Sequence, residues 1–283
     1  SLSGATRAYG GYGPRQTRYR LNTSFLFFPK LSRLPFSDLT MLTGVLKTAL
    51  VNGAYKGLGL EWCKQLCRDG YTVILTARRL EQASAAADAL MEANSSFRVV
   101  PKAVDVAKED EIAALASDVA REFDHLDVLV NNAGVNSKDD PAVKAKSAAL
   151  KDLDADEILR HVRINSVSPI LMAKHFRGLL EKSERPCVVS ISSWLGSIGV
   201  KTTNRANYAY ATSKCALNMM NRAMSIELAE DGVIAIVVNP GWVQTDMGGD
   251  SADLTAEQSV RGAIDNVLEV VSIEDTGKFY QWD

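Results

Sequence analysis

Gly53-Ala54-Tyr55-Lys56-Gly57-Leu58-Gly59 stands between a short apolar run, residues 47–52 (KTALVN), and a segment of helical spacing that passes through Cys67 and stops at Gly70. Glycines let a backbone turn sharply and come close to a phosphate. The helix that follows offers unbonded N–H groups and the positive end of its dipole. Placed at the first strand–helix junction, this stretch reads as a dinucleotide site, with a structural turn as the plain alternative.

Outward from that loop the chain alternates. Residues 71–77 (YTVILTA), 97–104, 126–130, 187–191 and 233–238 read as strands, with a short one near 278–280. Residues 80–94, 154–180, 208–230 and 256–271 read as helices, and Ile112, Leu115, Ala116, Val119 and Phe123 form the apolar stripe of another. Strands that are continuous apolar runs between long helices are buried on both faces, which a parallel sheet covered by helices provides. The predicted fold class is therefore α/β: a Rossmann-type doubly wound parallel sheet with helices on both faces. Neither a repeat nor a linker divides residues 41–283, so they are expected to form a single domain.

Composition narrows the function classes. The chain has 283 residues, 46% hydrophobic and 23% charged, which excludes a disordered, collagen-like or coiled-coil protein. Its longest apolar runs fall far short of the roughly 18 residues that span a bilayer, so no membrane partner is expected. Cys63, Cys67, Cys187 and Cys215 are too scattered for a disulfide framework and lack metal-site spacing, and the helical pair Cys63 and Cys67 reads as core.

Residues 1–40 differ from the rest. They hold Arg7, Arg15, Arg18, Arg20, Lys30 and Arg33 against the single acid Asp38, with no periodic apolar face. A transit-peptide-like targeting segment, translated sequence ahead of a start at Met41, and a flexible arm all remain open. A cytoplasmic location is expected, or an organelle (chloroplast or mitochondrion) if the extension is a targeting signal. The body beyond residue 40 is acidic, which argues against nucleic acid as a partner.

Three further constellations carry chemistry. The second strand ends Thr76-Ala77-Arg78-Arg79, with two cations where an NAD site usually has an acid. With Lys56 they suit the 2′-phosphate of NADP(H); a solvated Arg pair is the alternative. Asn131-Asn132-Ala133-Gly134 closes the fourth strand, at the end of the sheet where ligands bind in open α/β folds. Tyr210 and Lys214 are four apart on a helix and share a face. A nearby cation favours the phenolate and brings a tyrosine within reach of proton exchange. Ser192 and Ser193 end the preceding strand and offer a hydroxyl to a carbonyl oxygen.

In this order and spacing, the glycine stretch, the Asn-Asn-Ala-Gly, the Ser-Tyr-Lys set and Pro240-Gly241-Trp242-Val243-Gln244-Thr245 resemble the short-chain dehydrogenase/reductase family in its classical single-domain form. The likeness covers residues 47–282. Within the family, Tyr208–Lys214 (YAYATSK), Gly241–Gly249 (GWVQTDMGG) and Gly277–Asp283 (GKFYQWD) are similar to the C-factor and sniffer-type carbonyl reductases. The resemblance implies that Tyr210 protonates the substrate oxygen, that Lys214 lowers its pKa and holds the nicotinamide ribose, and that Ser193, with Ser192 as fallback, binds the carbonyl oxygen. Asn165 would anchor a water-linked proton relay. Gly53, Gly57 and Gly59, with Leu58, would cradle the pyrophosphate. Lys56 and Arg78 would take the 2′-phosphate, Asp105 and Val106 the adenine, and Asn132 with Ala133 and Gly134 the adenosine side. Pro240, Gly241, Val243 and Thr245 would flank the nicotinamide. Asn52 stands where the family usually has Thr, a minor departure because Asn still hydrogen-bonds.

The implied function is an oxidoreductase that reduces a small-molecule carbonyl (an aldehyde, ketone or quinone) with NADPH. The alternative is an NADP(H)-binding signalling or regulatory protein without physiologically relevant turnover. No metal is expected. The substrate pocket is expected from residues 137–153, 194–207 and 247–254, with an inserted loop at about 199–206 and Trp194 and Trp242 as either wall or packing. Met247-Gly248-Gly249, followed by Asp250 and Ser251, reads as a lid with a glycine hinge. The helices 154–180 and 208–230 offer a homodimer interface, as in many relatives, although this subgroup varies in that respect.

Overall fold

A computed structural model of the chain describes residues 46–136, 150–200 and 207–283. Its strands are β1 (Thr48–Val51), β2 (Thr72–Ala77), β3 (Arg98–Ala103), β4 (Val128–Asn131), β5 (Cys187–Ile191), β6 (Ile234–Asn239) and β7 (Phe279–Gln281). They form one sheet in the order β3-β2-β1-β4-β5-β6-β7. Every neighbouring pair is parallel. The chain winds from β1 to one edge, returns beside β1 at β4, and runs on to the other edge. This is the expected doubly wound sheet, and it leaves a crevice between the loops that follow β1 and β4.

The helices are α1 (Gly57–Arg68), α2 (Leu80–Ala93), α3 (Glu109–Glu122), α4 (Ala155–Val162), α5 (Ser168–Leu180), α6 (Tyr208–Leu228) and α7 (Ala256–Ala263). Alternation along the strands feeds two cores. Ala49, Val51, Val73, Leu75, Val128 and Val130 pack under Trp62, Leu66, Ala83, Ala87 and Val260 of α1, α2 and α7. Leu50, Ile74, Leu129 and Val188 face the other way, against Ile112, Leu115, Val119, Met172 and Phe176 of α3 and α5. Cys63 and Cys67 lie in the first core, as expected.

Two expected helices are built differently. The helix read over 154–180 is interrupted by a π-helical turn, Arg163–Val167, that joins α4 to α5 without leaving helical backbone. Pro169 has no N–H for the bond back to Asn165, so the ladder slips by one residue, and the Ser168 N–H bonds to the Arg163 carbonyl instead. Asp154 starts α4 by accepting from the N–H groups of Asp156 and Glu157. The helix expected over 256–271 likewise continues from α7 into a π turn, Ile264–Leu268. The extension 1–40 and the parts of the expected substrate loops at 137–149 and 201–206 lie outside the described residues.

Candidate active site

The glycine loop is set by backbone needs and by Asn52. Gly53 has φ 62°, and a Cβ there would lie 2.8 Å from Ala133 Cα, so only glycine lets this loop seat against the end of β4. Buried Asn52 bolts the two together. Its Oδ1 accepts from the N–H groups of Asn132 (3.0 Å) and Ala133 (2.7 Å), and its Nδ2 donates to Asn131 Oδ1 at 2.8 Å. Asn132 returns the favour through Nδ2, which donates to the carbonyls of Asn52 and Gly53. Asn52 is thus more than a minor departure from threonine: it spreads these bonds over two separated atoms, where a threonine would have to accept twice and donate once from a single short hydroxyl. The amide nitrogen of Asn132 is thus used within the loop, and its side chain is only partly buried.

The residues fit a dinucleotide. α1 begins at Gly57 with no side-chain cap and no acid in its first turn, which leaves its first N–H groups and its positive end for an anion. Arg78 and Arg79 are exposed beyond β2. Asp105 is half-buried beyond β3, its Oδ1 accepting from the Ala107 N–H, with Val106 buried beside it. Lys56 is paired with Asp246, Nζ to Oδ2 2.5 Å, so this expected phosphate ligand already holds an anion.

The second half of the site lies where β4, β5 and α6 converge. Lys214 is only 5% exposed. Its Nζ donates to the Ile191 carbonyl at 2.6 Å and lies 5.7 Å from the centre of the Tyr210 ring. Burial pulls its pKa down from 10.5 to about 8, yet it stays mostly protonated at neutral pH. Asn165, in the π turn, ties three elements together. Its Oδ1 accepts from the Val135 N–H (2.8 Å), and its Nδ2 donates to the Val135 carbonyl and to Ser213 Oγ, both at 2.9 Å. Ser213 in turn donates to the Tyr210 carbonyl at 2.7 Å. A Cβ on Gly134 would come within 3.9 Å of Lys214 Nζ and 3.4 Å of Asn165 Oδ1, so the end of β4 closes over the pair.

The two serines separate clearly. Ser192 is 1% exposed, and its hydroxyl donates to Asn218 Oδ1 at 2.5 Å, one turn beyond Lys214. Ser193 caps the short helix Trp194–Gly196, accepting from the Leu195 N–H at 3.2 Å. Its own hydroxyl proton is not used by that bond. Asn239, at the end of β6, accepts from the Trp194 N–H at 3.2 Å and donates to Gln281 Oε1, so it braces the Ser193 turn from below. Ser213, Asn218, Asn239 and Gln281 were not singled out in the sequence. The signal for the first two was periodicity, since Ser213 lies one turn after Tyr210 and Asn218 one turn after Lys214 on α6.

The segment after β6 closes on itself. Val243 bridges Leu254, Trp242 Nε1 donates to the Gly248 carbonyl at 2.9 Å, and Gln244 Nε2 donates to that of Ala252 at 3.0 Å. The stretch read as a lid is thus tied into a loop with a narrow base, while the ring of Trp242 stays about half exposed. Pro240 is held by Ser259, whose hydroxyl donates to its carbonyl at 2.7 Å, while Gly241 turns the chain at φ 79° and Thr245 lies beside Gly57. Among the described residues, no group of three or more His, Cys, Asp or Glu is placed to hold a metal ion. None of their helices is long and apolar enough to cross a membrane.

Residues 47–255 match the family model described as short chain dehydrogenase. The C-signal protein of Myxococcus xanthus is 37% identical over 157 residues, 56% of this chain and 89% of that protein. The NADPH-bound carbonyl reductase from chicken fatty liver superposes with a TM-score of 0.74 at 27% identity, covering 84% of this chain and 96% of that one. The carbonyl reductase Sniffer of D. melanogaster does so with a TM-score of 0.73 at 29% identity, covering 84% and 98%. With its seven-stranded doubly wound sheet, its glycine loop and a family model matched over most of its length, the chain belongs to the short chain dehydrogenase family.

Proposed function

We propose that this protein reduces a small aldehyde, ketone or quinone, with NADPH as its cofactor. The observation that carries the reading is the buried Lys214 ammonium, held by the Ile191 carbonyl and 5.7 Å from the Tyr210 ring. A fixed cation at low dielectric favours the phenolate, and so makes the Tyr210 hydroxyl a willing proton donor near neutral pH. Tyr210 gives its proton to the substrate oxygen, and Ser193 donates a hydrogen bond to that oxygen as charge develops. Ser193 suits this role better than Ser192, whose proton is held by Asn218. Asn165 positions the Tyr210–Lys214 turn through Ser213. Bound NADPH supplies the hydride. Its diphosphate would be held at the start of α1 by Gly53, Gly57, Leu58 and Gly59, its 2′-phosphate by Lys56 and Arg78, and its adenine beside Asp105 and Val106. Asn132, Ala133 and Gly134 would line the adenosine side, and Pro240, Gly241, Val243 and Thr245 the nicotinamide.

The test follows NADPH oxidation by absorbance with a panel of reactive aldehydes, ketones and quinones, alongside NADH and the Tyr210→Phe variant. Turnover with NADPH that is weak with NADH and lost in the variant is expected. Equal rates with NADH would remove the cofactor preference and leave the chemistry. A Tyr210→Phe variant as fast as the wild type would end the proposed acid role. A second reading, an NADP(H)-binding signalling protein without relevant turnover, is favoured by the similarity to C-signal. It requires tight NADPH binding with no turnover of any panel member, and a biological effect that survives Tyr210→Phe.

A further inference from the structure

Three cations, Lys56, Arg78 and Arg79, stand on the loops after β1 and β2, and they are not equivalent. Arg78 and Arg79 are exposed and make no ion pair with a described residue. Lys56 reaches across the site to Asp246, on the loop after β6 and 190 residues away in sequence. In the sheet, β4 and β5 lie between β1 and β6. The two loops therefore meet only by arching over the carboxyl ends of those strands. A second contact marks the meeting, since a Cβ on Gly57 would lie 3.5 Å from Thr245 Cγ2. The hydrogen bond to Asp246 raises the pKa of Lys56, and the same bond lowers that of Asp246.

We propose that Asp246 is a built-in competitor for the nucleotide's 2′-phosphate, and that it sets how strongly this site prefers NADPH over NADH. The proposal rests on the reading of Lys56 as a 2′-phosphate partner. One ammonium cannot neutralise a phosphate dianion and a carboxylate together without bringing the two anions against each other. Lys56 must leave Asp246 for the phosphate to gain its full charge. An exposed pair of this kind, with side chains 54% and 79% accessible, is weak. The competition therefore tunes affinity by a small factor and does not abolish binding. It also holds the loop after β6 against the glycine loop until a nucleotide claims the lysine.

Binding of NADPH, NADH, adenosine 2′,5′-bisphosphate and AMP to the full chain, measured by calorimetry, tests this with Asp246→Asn, Lys56→Ala and the double variant. Thermal melts verify that each variant is folded. Asp246→Asn is expected to tighten NADPH and the bisphosphate roughly two- to fivefold, while NADH and AMP stay unchanged. That gain should vanish in the Lys56→Ala background. Asp246→Asn that weakens NADPH, or shifts NADPH and NADH equally, overturns the proposal, because Asp246 then acts as a clasp or as a general charge. No change in any affinity overturns it as well. Lys56→Ala that weakens NADPH no more than NADH instead removes the underlying role of Lys56.

Discussion

Replacing Lys214 by methionine removes a charge that the fold makes costly. The ammonium is 5% exposed, and burial alone takes its pKa from 10.5 to about 8. Unfolding returns the amine to water and to its ordinary value. Between pH 8 and 10.5 the unfolded chain therefore keeps a proton that the folded chain has released. The stability linked to this group is fully present above pH 10.5 and is lost as the pH falls through about 8. The whole span is worth about 3 kcal/mol, of which roughly 2.5 kcal/mol falls between pH 7 and pH 10. Urea unfolding of wild type and Lys214→Met at pH 7, 8, 9 and 10, followed by tryptophan fluorescence, isolates the term, because other groups titrate alike in both chains. The wild type should gain about 2.5 kcal/mol on the variant from pH 7 to pH 10. A difference constant to within about 0.5 kcal/mol would refute burial of the charged amine as the cause. The same proton governs the proposed chemistry, so reductase activity should fall as the pH passes about 8.

The loop after β1 yields two more expectations. Gly53→Ala combines positive φ with a Cβ 2.8 Å from the Ala133 backbone, and should cost about 3 kcal/mol or more along with nucleotide binding. Gly232→Ala has φ 74° with nothing within 4 Å, and should cost only about 1 kcal/mol; equal losses in urea midpoints would mean that the contact at Gly53 is not what matters. Asn52→Val strips the acceptor from the N–H groups of Asn132 and Ala133, for an expected loss of about 2–4 kcal/mol. Asn52→Thr should recover about half of that, and a threonine variant as unstable as the valine one would show that accepting these bonds is not the role of Asn52.

Much of the molecule was legible in the chain itself. Continuous apolar runs such as residues 47–52 and 71–77, and the stripe from Ile112 to Val119, report local geometry, so the order and type of elements followed from them, whereas the alternation that sends Val51 and Leu75 to one core and Leu50 and Ile74 to the other belongs to the fold. The glycine loop and the Tyr210–Lys214 spacing were readable for the same reason, since each depends on neighbours a few residues away. The π turn at Arg163–Val167 has Pro169 as its only local sign, and the helical periodicity on either side of it is unbroken. Pairing across the fold was not readable. Asn52 with Ala133, Ser192 with Asn218, Asn239 with Gln281, and Lys56 with Asp246 join residues 26 to 190 apart. Which amide meets which hydroxyl depends on how the strands are ordered in the sheet. The sequence by itself determined a doubly wound sheet with an anion-ready loop and a tyrosine–lysine turn. Only the tertiary structure decided that Lys214 is buried enough for its pKa to fall to about 8, and that Lys56 already holds a carboxylate. Burial and charge pairing are properties of surroundings that no local stretch of chain contains.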